Sequence, residues 1–370
     1  MLRSLALTTP LIAVLACTAV FAPTSWTQEN RAQANQAGDA AAAPSQLMTL
    51  PPVSPSDQAR QLVQSGNAGQ PQLVILDTDI GDDIDDAYAL AFALQSPELR
   101  ILGITTAYGN TELRARLVDR FLRAVGQGLP VAAGVSAPQS NVFTQAAYAE
   151  QAPAHPHPDG VQFLLEQIHQ HPGQITLVAI GPETNLQAAL ARDPATFRQL
   201  KQIVLMGGSV DRGYDDRTAG ARRPPSAEWN IKAAPQAARD IFNSGVPLVV
   251  LPLDSTQIRL DPKRREAIFA HGSPLTDQLT LLYHQWAARN TWMQPDPALP
   301  SPTLFDPVTI AWLIRSDLCP TTPIRLDVDS RGFTIRVAGQ SNAQVCLQAD
   351  ESGFLDLLES RLVVRKLPVR

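Results

Sequence analysis

The sequence predicts an α/β fold, a sheet covered by helices on both faces. Two observations predict the layers. Short apolar runs alternate with stretches of helical periodicity between Leu73 and Leu251. The runs are continuous rather than alternating, as strands covered on both faces require. A third observation concerns the polar residues that stand out, nearly all of which follow an apolar run. In open α/β sheets that is the end where ligands bind.

The elements follow in order. Residues 73–76 form the first strand, which stops at a dense group of carboxylates, and residues 87–94 form a helix. Residues 101–106 are the second strand, ending at Ala107-Tyr108-Gly109-Asn110. The helix over 112–125 carries an apolar stripe of Leu113, Leu117, Phe121 and Leu122. Residues 161–168, 175–180 and 185–190 continue as helix, strand and helix. Strands over 203–206 and 247–251 enclose a helix over 233–243.

Composition excludes several classes. Hydrophobic residues make up 44% of the 370 and charged residues 18%, which suits neither a coiled coil nor a wholly disordered chain. Thirty Lys and Arg against 35 Asp and Glu leave a formal charge of −5, which gives no support to nucleic-acid binding. Three Cys are too few for a disulfide-built scaffold.

Residues 1–22 read as a signal peptide, with Arg3, an apolar stretch through Phe21 and the small-residue pattern Val20-Phe21-Ala22. Val14-Leu15-Ala16-Cys17 resembles a lipobox with a bulky Leu15. Read that way, the signal ends at residue 16 and Cys17 carries a lipid anchor. Residues 23–56, rich in Ala, Gln, Ser, Pro and Asn, read as a disordered linker. The folded domain is expected over 57–370, opening with a short helix over 57–65. An exported chain, periplasmic or secreted, would place Cys319 and Cys346 where they are free to pair.

The segment from Asp77 to Asp86 holds six carboxylates in ten residues. Ionised together at one strand end, they repel one another unless a cation or strong donors compensate. Hard oxygen donors without Cys or His favour Ca²⁺ or Mg²⁺ over zinc. Asp82 or Asp83 also suits the first turn of a helix. A calcium-binding helix–loop–helix does not fit: the preceding run is strand-like, the glycine is at the wrong offset and no Glu closes the loop. A phosphatase-type Asp-x-Asp nucleophile is a further reading, although no Thr follows at the usual place.

In combination the motifs resemble those of the inosine–uridine-preferring nucleoside hydrolase family. The likeness runs from about Leu73 to Val337. In order it comprises Asp77-Thr78-Asp79 with Gly81, Asp85-Asp86-Ala87, Gly103 to Asn110, Gly181-Pro182-Glu183-Thr184-Asn185, Met206-Gly207-Gly208, Ala227-Glu228-Trp229-Asn230, Leu253-Asp254-Ser255-Thr256 and Phe305-Asp306-Pro307. The resemblance implies a single α/β domain with a mostly parallel, Rossmann-like central sheet flanked by helices, and calcium-dependent hydrolysis of the N-glycosidic bond of a ribonucleoside. It implies Asp79, Asp86, Asp306 and the Ile180 carbonyl as Ca²⁺ ligands, and Asp85 as general base. Asn110, Glu228 and Asn230 become ribose ligands and Asp77 a support behind them. The partner is a small-molecule nucleoside or riboside, and family members are often homo-oligomers.

Three departures carry expectations of their own. Asp79 and Asp86 are seven residues apart, two more than in the best-known family form, so Asp82 or Asp83 is open to part of the metal or base role. Arg222 stands where the family has an Asn near the sugar 5′ hydroxyl, which suits an anionic group there. Phe305 replaces a His linked to protonation of the leaving group. His155 and His157, or the aromatic group Tyr283, His284 and Trp286, are candidates for the leaving-group pocket. Two alternatives follow: a nucleoside- or sugar-binding protein without turnover, and a hydrolase acting on an anionic sugar compound.

Overall fold

A computed structural model describes residues 70–138, 141–215, 223–289 and 301–364. The expected signal, linker and 57–65 helix, together with Cys17 and Arg222, lie outside the described residues. Among the described residues there are ten strands: β1 (Gln72–Thr78), β2 (Leu99–Thr106), β3 (Val131–Ala133), β4 (Ile175–Ala179), β5 (Gln202–Met206), β6 (Leu248–Leu251), β7 (Thr321–Ile324), β8 (Leu326–Val328), β9 (Thr334–Arg336) and β10 (Ala343–Cys346). Eight form one sheet in the order β3-β2-β1-β4-β5-β6-β10-β7, parallel except for the β7–β10 pair. β8 and β9 make a separate antiparallel hairpin.

The first six strands give the doubly wound order in which β1 and β4 diverge at the topological switch point. Their apolar runs are buried on both faces because side chains alternate across the sheet. Val74 and Leu76 join one core with Tyr88, Phe121 and Trp286, while Ile75 joins the other with Leu177, Leu205 and Ile241. The helix Asp85–Leu94 is buried along all ten residues, as a sequence of Ala, Leu, Tyr and Phe behind two Asp demands.

The expected helix over 233–243 is present as Pro235–Phe242, and a separate short helix, Trp229–Ala233, precedes it. Pro235 disfavours helical dihedrals at Ala234, which stands at φ −143° and breaks the run. The final strands and the helix Glu351–Val364 lack strong periodicity and escape sequence reading. Cys319 and Cys346 form a disulfide, joining the start of β7 to the end of β10.

Candidate active site

The carboxyl ends of β1, β4 and β5 open into a cavity of about 580 Å³. β1 supplies Asp77 and Thr78, and the turn after it supplies Asp79. The chain then folds tightly at Gly81, whose φ of +124° and contact with the Phe143 ring leave no room for a Cβ. Gly181 after β4 is equally constrained: a Cβ would lie 2.8 Å from the Asp79 amide nitrogen. That close approach lets Ile180 and Asp79 line one wall.

Asp85 and Asp86 occupy the first turn of the buried helix, whose dipole favours carboxylates. Asp306 comes from the far side of the sequence, just before the helix Pro307–Ile314. The three present carboxylate oxygens within 4.8 Å of one another, and all three residues are buried. The Asp306 N–H donates to Asp85 Oδ2 at 3.3 Å, and the Thr78 hydroxyl donates to Asp86. Burial, then mutual repulsion, holds the carboxyl groups of Asp85, Asp86 and Asp306 well above their ordinary range. Burial likewise pushes Asp79 up to about 7. Such a group of hard donors fits a Ca²⁺ ion, which takes carboxylate and carbonyl oxygens and relieves the repulsion.

The enlarged loop has a structural reason. The Arg114 guanidinium, fully buried, pairs with Asp82 at 2.9 Å and also donates to the carbonyls of Asp79 and Ile80. Asp83 accepts the Ile84 N–H at 2.7 Å ahead of the helix. Thr144 and Gln145 donate to the carbonyls of Asp82 and Asp83. Arg114 was not a candidate from sequence, yet its spacing to Leu117, Val118 and Phe121 places it on the buried face of its helix. Arg114→Met removes the cation from Asp82, and breaking such a buried pair costs about 3–5 kcal/mol. Denaturant titration measures it, and a loss below about 1 kcal/mol would show that the loop does not depend on this pair.

Glu228 and Asn230 are buried and line the cavity. Glu228 caps the helix Trp229–Ala233, accepting N–H groups of Asn230 and Ile231, and it also accepts that of Gly208. Asn230 donates to the carbonyls of Ile180 and Met206. Asp77 lies behind them, its Oδ1 accepting from Thr105 and from Asn185, and burial raises it to about 6. Glu183 is a further buried carboxyl, raised well above its ordinary range by burial and the nearby charges of Glu228, Asp77 and Asp79.

Other expected site residues stand elsewhere. Asn110 is exposed and caps the helix Thr111–Ala124 by accepting the Leu113 N–H; it is not among the cavity-lining residues. Tyr283 and Trp286 are fully buried core residues, packed beside Phe269, and His284 is exposed next to them. They pack the helix Pro274–Arg289 and do not line the cavity. His155 and His157 are held by Asp119 and Glu112, also outside the lining. Phe305 does line it, set edge-on to Tyr214 with ring centroids 6.3 Å apart. Tyr214, Trp229, Gln257 and Arg259 complete the polar and aromatic wall, and none of these was a candidate from sequence.

A family model described as inosine-uridine preferring nucleoside hydrolase matches residues 74–356. The chain is 30% identical over 318 residues to the pyrimidine-specific ribonucleoside hydrolase RihA of Citrobacter koseri and 31% to that of Salmonella arizonae. Each alignment covers 78% of this chain and 97% of the relative. A plant nucleoside hydrolase, PpNRh1, is structurally similar with a TM-score of 0.69 and 27% identity, over 80% of this chain and 100% of that one. The purine-preferring ribonucleoside hydrolase from Gardnerella vaginalis follows at 0.67 and 26%, over 79% and 98%.

Proposed function

We propose residue roles and a base preference for this chain, which belongs to the inosine-uridine preferring nucleoside hydrolase family and carries out calcium-dependent hydrolysis of the N-glycosidic bond of a ribonucleoside. The observation that carries the reading is the convergence of Asp85, Asp86 and Asp306 from two distant parts of the chain.

Asp79, Asp86, Asp306 and the Ile180 carbonyl would hold the Ca²⁺. When bound, the ion supplies a lowered pKa for a coordinated water and a grip on neighbouring sugar hydroxyls. Asp85 takes the proton from the attacking water. Glu228 and Asn230 orient the ribose. The ionised carboxylates around the cavity stabilise positive charge developing on the sugar ring. Tyr214 protonates the departing base in place of the His that Phe305 replaces. Its oxygen accepts the Trp229 N–H at 2.9 Å, leaving the phenolic proton to donate.

The preferred substrates in this proposal are pyrimidine ribonucleosides, supported by the specificity named for the RihA relatives. Initial rates of base release from uridine, cytidine and inosine with Ca²⁺ test it, and inosine turning over faster than uridine would overturn the preference. Export belongs to the proposal too, supported by the composition of residues 1–22 and by the Cys319–Cys346 disulfide, which suits an oxidising compartment. A lipid anchor at Cys17 and a homo-oligomer extend it; the mass of the mature chain and its size in solution test them.

Calcium at a hundred times its dissociation constant raises stability by about 2.7 kcal/mol. Asp306→Ala should remove most of that increment, because it deletes the ligand that links the far helix to the β1 loop. Thermal unfolding with and without Ca²⁺ measures the difference, and an undiminished increment would take Asp306 out of the site.

A further inference from the structure

The helix Thr111–Ala124 presents Glu112, Arg116, Asp119 and Arg120 at i, i+4, i+7 and i+8, on one side. Arg120 donates to the Tyr148 carbonyl, and Arg116 to those of Glu150 and Ala152. The chain segment that follows, from Pro153 to Pro158, meets Asp119 and Glu112 through His155 and His157. Each of these His precedes a proline, which disfavours the helical region and keeps the backbone extended. Two residues apart on an extended chain, their rings fall on the same side and lie 4.4 Å apart.

Both rings point at one atom. His155 Nε2 is 3.0 Å and His157 Nε2 3.2 Å from Asp119 Oδ2, while His157 Nδ1 is 2.7 Å from Glu112 Oε2. We infer that Asp119, His155 and His157 form a Zn²⁺ site, separate from the calcium cavity, with Glu112 orienting His157 through its other nitrogen.

The donor chemistry selects the ion. Two imidazole nitrogens and one carboxylate oxygen suit zinc, whereas the active-site cluster offers oxygen alone. Ligand atoms around a tetrahedral ion with bonds of about 2.0–2.1 Å stand roughly 3.3 Å apart. The two nitrogen–oxygen separations are already close to that, and one ligand atom from each residue lies within 4.8 Å of the others. A carboxylate on the non-ligating imidazole nitrogen is the usual support for a metal-bound His. With the Nδ1 proton directed at Glu112, the Nε2 lone pair of a neutral His157 faces the Asp119 carboxylate. Two acceptors at 3.2 Å repel unless a cation or a proton lies between them. A dication balances the two carboxylates in charge. The His155 side chain is 47% exposed, so water reaches the remaining coordination position. The bound ion would brace the 151–158 segment against the helix.

Calorimetric titration of Zn²⁺ into the calcium-loaded, full-length protein tests this. One equivalent should bind in the wild type and in Asp306→Ala. His155→Ala and His157→Ala should each lose it, and Glu112→Gln should weaken it about 10–100-fold. His155 is exposed enough that its replacement leaves folding unaffected, so its thermal unfolding temperature should match wild type without zinc and fail to rise with it. Substitution by Co²⁺ should give the visible absorption bands of a tetrahedral site in the wild type and in Asp306→Ala, and not in His155→Ala or His157→Ala. Zinc uptake that His155→Ala leaves unchanged, uptake abolished only by Asp306→Ala, or no uptake at all would overturn the site and leave an imidazolium–carboxylate cluster. None of these outcomes depends on which nucleoside the cavity accepts.

Discussion

Asp85→Asn retains Ca²⁺ and the fold but loses about 10²–10⁴-fold in turnover, the share a positioned general base typically supplies. The expectation follows from the proposed division of roles. Asn has the shape of Asp, and its carboxamide oxygen can still accept the N–H that Asp306 now gives to Asp85. The change removes one negative charge from a buried group in which repulsion already raises Asp86 and Asp306, so stability should hold or rise. What the amide cannot do is take a proton from water. The two effects separate cleanly when kcat for uridine and calorimetric Ca²⁺ affinity are measured on the same preparations. Asp306→Ala, by contrast, should lose metal and turnover together. If Asp85→Asn loses Ca²⁺ to the same extent as Asp306→Ala, Asp85 is a ligand and the proton acceptor is another residue.

The layers and the carboxylate cluster were legible because each has a strong local signature. Continuous apolar runs mark β1, β4, β5 and β6, and six Asp within ten residues demand a compensating charge wherever they fold. Asp306 was legible only through the motif around it, since one Asp before a proline is an ordinary helix start. The same ambiguity attaches to Asn110, whose side chain caps the helix Thr111–Ala124. Tyr283 and Trp286 show the limit of composition: clustered aromatics serve a core or a base pocket equally well, and burial on the helix Pro274–Arg289 decides for the core. Tyr214, Gln257 and Arg259 carry no periodicity at all. They meet Phe305 at the cavity wall only because the chain after β5 and the chain after β6 both leave from the carboxyl end of the sheet. Arg114 carries a sequence signal of its own, a charged residue in register with an apolar stripe.

Tyr214→Phe should lower uridine hydrolysis by about 10²–10³-fold while leaving a nitrophenyl riboside nearly untouched, within the range expected for one general acid. A pyrimidine leaves poorly as an anion and needs a proton as the glycosidic bond breaks. Phe305, at the position where the family places a His, cannot give one. His155 and His157 are engaged elsewhere: His157 with Glu112 and Asp119, His155 with Asp119. The Tyr214 hydroxyl is at the cavity, held by the Trp229 N–H, and its ring lies edge-on to Phe305. Phenylalanine preserves the ring and that contact but removes the proton. A nitrophenolate departs without protonation, so its release reports only water activation at Asp85 and the calcium-dependent steps. Equal losses on both substrates would mean that Tyr214 shapes the site rather than protonating the base. Phe305→His in the Tyr214→Phe background is the complementary test, since an imidazolium at that position should restore part of the uridine rate. Full uridine activity in Tyr214→Phe would remove the phenol from the mechanism and leave a different residue of the cavity wall as the acid.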